Sequence, residues 1–248
     1  MAKFVFCLPG RSFSNNFLAS WTETVTEMQK EGHEVRLSMA QDSNVYYVRQ
    51  KCVGASVLNG KRQKPWQLQD MTLPQGYRDA MDYDYMMWID SDVVWRYSQI
   101  KMLIQDNKPI VSGLYIMEGN KAFTAVIDWD ENFYRDRGAF HFVEPHELKK
   151  LPNLFKVAYI GFGFILIKKG VFEKLEYPWF RPIMYHFRGE VQDFCSEDVG
   201  WCRTATQHGL EIWIDKRVIV GHEKPVVLGT DLVRSSMSEC ERLTSTMR

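Results

Sequence analysis

No run of 18 apolar residues occurs anywhere in the 248-residue chain, so no membrane-spanning helix is expected. The apolar run near the start, Phe4 to Leu8, is too short for the core of a signal peptide. The basic excess of a general nucleic-acid coat is also missing, because 31 Lys plus Arg balance 31 Asp plus Glu. The five cysteines (Cys7, Cys52, Cys195, Cys202 and Cys240) are odd in number and form no Cys-x-x-Cys pair. That argues against a disulfide framework or a zinc cluster and fits a reducing compartment. Three chemistries lack their signatures: there is no GxxxxGK[ST] phosphate loop, no GxSxG elbow and no HExxH helix. Neither an internal repeat nor a linker is visible. The expectation is a soluble, cytoplasmic protein with no nucleic-acid partner and no membrane span.

What is present is the composition of a folded protein, with 45% hydrophobic and 25% charged residues. Aromatics reach 14%, with eight Trp, which suits a large core or sugar-facing surfaces. The length allows one large domain or two small ones. Lys3–Leu8 reads as a buried strand ended by Pro9-Gly10. Ser14-Asn15-Asn16 can cap a helix to about Lys30, with Gly32 as its stop. Glu34–Met39 alternates like a strand, and Asn44–Val57 looks helical. Asn59–Gly76 reads as a loop, with a lid or a solvated insertion as its two readings. Tyr85–Ile89 is a strand, Ser98–Gln105 a helix and Ile110–Tyr115 a strand. This alternation predicts an α/β fold on a mostly parallel sheet with helices on both faces.

The second half is less regular. Ala122–Trp129 reads as a strand, 132–153 as irregular, and Val157–Ile167 as an apolar strand containing Gly161 and Gly163. Val171–Leu175 reads as a short helix and Ser196–His208 as a longer one. Two short strands follow, Glu211–Ile214 and Arg217–Val220. Ligands of such sheets bind beyond the carboxyl ends of the strands. Pro9-Gly10-Arg11, the Asp90-Ser91-Asp92 cluster and Tyr115 all fall at such ends.

Two carboxylates one residue apart repel each other unless a cation sits beside them. Asp90 and Asp92 are therefore candidate ligands for a hard divalent ion, which takes oxygen and shares phosphate oxygens. His222 follows an apolar strand and could complete such a site. Ser196 is a natural N-cap, with Glu197 and Asp198 in the first turn, where the helix dipole favours anions. A carboxylate held there can serve as a general base or only stabilise the helix start. Gly161 and Gly163, within a strand, mark close approach by a ligand or another backbone. Trp179 could stack on a sugar or simply pack.

Taken in order, these pieces resemble a GT-A glycosyltransferase of the family-2-like type found in bacteria, phages and large viruses. FCLPGRSFSNNF (Phe6–Phe17) resembles the first strand and nucleotide-binding turn. MMWIDSDVVW (Met86–Trp95) resembles the DxD strand. AYIGFGFILIKKGVFEKL (Ala158–Leu175) resembles the acceptor-side strand and helix. SEDVGWCRTATQHGLEIWID with VGHEKP resembles the late ED helix and the metal-binding His. The resemblance implies a single domain over 1–248, with a nucleotide-binding half (1–115), an acceptor-binding half (116–229) and a tail (230–248). It implies a nucleotide-diphosphate sugar donor, a UDP-sugar in the first place, and a glycan or other hydroxyl acceptor. The nucleotide would meet Pro9, Gly10, Arg11, Arg49, Asp90 and Ser91. Asp90, Asp92 and His222 would hold Mn2+ or Mg2+. Asp198, with Glu197 beside it, would deprotonate the acceptor in an inverting reaction. Gly161, Gly163 and Trp179 would face acceptor or donor sugar. Two other readings stand beside this one. A sugar-nucleotide pyrophosphorylase of the same fold would carry a GxGTR-like turn, which Leu8-Pro9-Gly10-Arg11-Ser12 lacks. A non-catalytic carbohydrate-binding relative would not need Asp90, Asp92, Asp198 and His222 to meet in space.

Overall fold

The computed structural model describes residues 1–67, 81–117, 119, 121–186 and 192–225. The first half follows the expected alternation: β1 (Lys3–Pro9), α1 (Asn15–Lys30), β2 (Glu34–Ala40), α2 (Val45–Cys52), β3 (Tyr85–Ile89), β4 (Val93–Val94), α3 (Tyr97–Asp106) and β5 (Ile110–Leu114). The Ser14 side chain caps α1 by accepting from the Phe17 N–H at 3.0 Å. Helix α2 is shorter than the expected span to Val57. Part of the Asn59–Gly76 loop, from residue 68 on, lies outside the described residues, as do Cys240 and the 230–248 tail.

The second half contains β6 (Ala125–Val126), α4 (Glu131–Arg137), α5 (Pro145–Leu148), β7 (Leu154–Val157), β8 (Tyr159–Ile160), β9 (Phe164–Lys168), β10 (Ile183–His186), β11 (Gln192–Cys195), α6 (Glu197–Gln207), β12 (Ile212–Ile219) and β13 (Gly221–His222). The apolar stretch Val157–Ile167 is thus three strands, broken at Ala158 and again by a turn through the Gly161–Gly163 region. The two short strands expected over 211–220 are one irregular strand, β12. The expected strand over 122–129 is only β6, and the stretch 132–153 holds most of α4 and all of α5.

The central sheet has seven strands in the order β2-β1-β3-β9-β5-β12-β7. β1, β2, β3, β5 and β12 run one way; β9 and β7 run against them. The expected α/β class and mostly parallel sheet are observed, with one element that periodicity could not show: β9 inserts antiparallel between β3 and β5. Side-chain alternation divides the core into two layers. Phe4, Phe6 and Leu8 of β1 join Phe17 and Met28 of α1. Val5 and Cys7 face the other way, toward Val48 and Cys52 of α2 and Trp201 of α6. Among the described residues no helix is long and apolar enough to cross a membrane. The four described cysteines are buried free thiols.

Candidate functional site

Residues Pro9, Gly10, Arg11, Asp42, Val45, Val48, Asp90, Ser91 and Asp92 line one cavity of about 390 Å³. It lies where β1 and β3 end, as the strand-end argument requires. Gly10 is there because the two turns nearly touch: a Cβ at this position would stand 2.7 Å from Cβ of Ser91. The Arg11 guanidinium donates to the Asp42 carbonyl at 3.3 Å. Asp42 had no motif to announce it; its carboxylate pairs with Lys51 at 2.5 Å. The hydrogen bond from Lys51 is the main reason its pKa falls to about 2. Val45 and Val48 form an apolar wall of the same cavity.

The Asp90-Ser91-Asp92 segment is a turn, closed by the Val93 N–H donating to the Asp90 carbonyl at 3.1 Å. A turn sends its carboxylates in different directions, and they take different partners. Asp92 faces the end of β13, where Nε2 of His222 lies 3.2 Å from its Oδ2. Lys224 Nζ sits on the same oxygen at 2.7 Å. Asp90 faces inward and accepts from Nη2 of Arg49 at 3.1 Å. Of the three residues expected to meet, Asp92 and His222 do so, while Asp90 is turned to Arg49. Among the described residues, no group of three or more His, Cys, Asp or Glu could hold a metal ion.

β13 pairs antiparallel with β4, setting His222 opposite Val93. Nδ1 of His222 lies 2.7 Å from the Ile116 carbonyl. A carbonyl only accepts, so the Nδ1–H donates to it, and Nε2 is the ring nitrogen that faces Asp92. The Ile116 carbonyl thereby fixes the orientation of the imidazole. The Tyr115 ring packs edge-on against His222, with centroids 5.0 Å apart. Glu223, unremarked in the sequence, anchors the next residue: Ser14 Oγ donates to it at 2.5 Å and Asn16 Nδ2 at 2.6 Å.

Beneath the cavity lies a buried ionic cluster. Arg49 is 3% exposed. Its Nη2 reaches Asp90, its Nε donates to Glu197 Oε1 at 3.1 Å, and its guanidinium lies near the Trp88 and Phe162 rings. Burial works against the Arg49 charge, but Asp90 and Glu197 outweigh it and hold the guanidinium ionised. Burial first and neighbouring Asp198 second push Glu197 upward, with Arg49 opposing. Glu197 is thus committed to an ion pair and is not turned to solvent as a second acid-base group.

Asp198 is placed differently, although it is the next residue. It is part-exposed in the first turn of α6. Its Oδ1 accepts from the Ser196 hydroxyl and from the Val199 N–H, and its Oδ2 from the Tyr159 hydroxyl at 2.8 Å. Ser196 makes no side-chain cap bond to the helix backbone.

Three expected sugar-facing residues are placed otherwise. A Cβ on Gly161 or Gly163 would collide with the Tyr115 ring, at 2.7 Å from Cζ in the case of Gly163. The Gly163 N–H donates to the Tyr115 hydroxyl at 3.1 Å. These glycines make room for a tyrosine of this chain. Trp179 is 2% exposed, edge-on to Phe172 and Tyr177, and has no open face for a sugar to stack upon.

The fold is similar to that of a solved viral protein. A197 from STIV superposes with a TM-score of 0.50 over 91% of this chain and 87% of that one, at 17% identity. GalNAc-T7, solved with UDP, GalNAc and Mn2+, aligns at a TM-score of 0.46 and 11% identity over 91% of this chain but only 43% of that longer one. Identities of this size speak to the fold alone. No protein-family model matches the chain, and no curated protein matches its sequence.

Proposed function

We propose that this chain is a metal-dependent GT-A glycosyltransferase that moves a sugar from a nucleotide-diphosphate donor to a hydroxyl of a glycan or other acceptor. The observation that carries the reading is the meeting of Asp92 and His222 at the rim of the cavity lined by Pro9, Gly10, Arg11 and Ser91. A UDP-sugar is the donor in the first place, its base against Val45 and Val48 and its diphosphate toward Asp92. Asp92 Oδ2 and His222 Nε2 would hold Mn2+ or Mg2+, with diphosphate oxygens completing the shell. Bound there, the ion would offset the charge of the leaving diphosphate. Lys224 now sits on the same Asp92 oxygen and would turn to the diphosphate when the ion binds. Asp198 is the candidate base, and its use implies an inverted anomeric centre. Asp90 serves through Arg49 and the cavity wall, and Glu197 as the partner of Arg49.

A screen of UDP-sugars for thermal stabilisation and for UDP release, with Mn2+ and with EDTA, tests this. The expected result is stabilisation that needs Mn2+ and is lost in Asp92→Ala. Binding of glycans with no nucleotide dependence would favour a carbohydrate-binding relative. Turnover of a nucleoside triphosphate with a sugar 1-phosphate would favour a pyrophosphorylase.

A further inference from the structure

Of the two oxygens of Asp198, one is saturated and the other is not. Oδ1 accepts from two donors of its own helix start, the Ser196 hydroxyl and the Val199 N–H at 2.8 Å. A carboxylate oxygen offers two lone pairs in its plane, so Oδ1 has none to spare. Among the described residues Oδ2 accepts from Tyr159 alone, at 2.8 Å, which leaves its second lone pair unclaimed by any of them. Whatever proton Asp198 takes must arrive at that position.

Tyr159 is unlike the other donors. It belongs to a different element, β8, which is held opposite Val126 of β6. Its side chain is 7% exposed, and its ring packs near Trp129 and Phe142. Burial first, and the Asp198 charge next, push its phenol well above the ordinary tyrosine range. It remains a protonated donor at any working pH. The contact joins the acceptor-side strands to the start of α6, across 39 residues of chain.

We propose that Tyr159 is a positioning residue: its hydroxyl fixes the Asp198 carboxylate so that the free lone pair of Oδ2 receives the acceptor's proton. The inference rests on the reading of Asp198 as the base. In the step itself, the acceptor O–H proton passes to Oδ2 and the acceptor oxygen bonds to the anomeric carbon. The bond from that carbon to the diphosphate breaks, and its electron pair leaves with the diphosphate. Tyr159 keeps its own proton throughout. Without its hydroxyl the carboxylate can turn about the Cβ–Cγ bond and present the wrong edge; misplacement of this kind costs rate with little change in donor binding.

Tyr159→Phe removes one oxygen and leaves the packing ring, so the fold should survive. Two readouts test it. The first is the 13C resonance of the Asp198 carboxyl, identified by its loss in Asp198→Asn. It should move in Tyr159→Phe, and an unmoved resonance overturns the proposal. The second is UDP release from a panel of UDP-hexoses with Mn2+. In Tyr159→Phe, kcat should fall about 3- to 30-fold with donor KM unchanged, a modest share of what a general base contributes. In the Asp198→Asn background the same change should cost nothing further. Equal slowing in both backgrounds would show that Tyr159 acts without Asp198 and would overturn the proposal. Full turnover in Asp198→Asn is a different failure: it removes the base reading itself, while the carboxyl resonance still reports whether the contact exists.

Discussion

Arg49 and Glu197, 148 residues apart in the chain, meet at 3.1 Å in the interior, both nearly closed to solvent. A buried carboxylate of this kind is tolerable only because the guanidinium faces it. The pair ties helix α2, which borders the candidate nucleotide cavity, to helix α6, which carries Asp198. It also separates two adjacent acidic residues: Glu197 is buried against Arg49, while Asp198 is part-exposed and held by Tyr159.

Breaking that pair from one side should be costly. Arg49→Met leaves Glu197 buried without its cation and should lower unfolding free energy by about 3–5 kcal/mol, the range for such cuts. Arg49→Met combined with Glu197→Gln should recover much of the loss. Urea denaturation of the two variants checks this, and equal stabilities would contradict it.

The two acidic neighbours should separate in kinetics as well. Asp198→Asn is expected to cut turnover by about 10²-fold or more, the usual contribution of a general base, with the melting temperature nearly unchanged. Glu197→Gln should instead act mainly on stability, since its partner is Arg49. UDP release and thermal melts on both variants distinguish them. The anomeric configuration of a transfer product, read by proton NMR, should be inverted.

Metal affinity offers a third comparison. Asp92→Ala and His222→Ala should each weaken Mn2+ binding in the presence of UDP by at least about 10-fold, as expected when one of few ligands is lost. Asp90→Ala should weaken it far less, because the Asp90 carboxylate is turned to Arg49. Calorimetry on the three variants decides, and equal losses would restore the three-ligand group.

Away from the site, Asp106 makes stability depend on pH. Burial first and the charge of Asp215 second push its carboxyl up to about 6, with Arg217 pulling down. In the unfolded chain an Asp titrates at about 4. The folded form binds the proton more tightly, so this contribution is fully present below about pH 4 and is lost as pH rises through about 6. Asp106→Asn should therefore raise the melting temperature at pH 8 by about 2–6 °C, at roughly 2–4 °C per kcal/mol. At pH 4 the gain should vanish. A gain of the same size at both pH values would contradict the assignment.

The sequence by itself determined the features that arise from local rules. Apolar runs broken at Pro9-Gly10 and at Asp90 located two strand ends, because strands stop where turn residues and charges begin. Ser14 and Gly32 bounded α1, and the alternation of elements led to the sheet class. What only the tertiary structure decided depends on direction and on distant partners. One turn, closed from Val93 to Asp90, sends Asp90 to Arg49 and Asp92 to His222, and no spacing rule says which way each points. Gly161 and Gly163 looked open to a ligand until Tyr115 filled the space above them. Trp179 could have faced a sugar until Phe172 and Tyr177 enclosed it. Glu197 and Asp198 share a motif, yet one helical step of about 100° puts the first against Arg49 and the second against Tyr159. Periodicity along a chain reports which face a residue lies on; what waits on the other side of that face is brought there by residues far away in sequence.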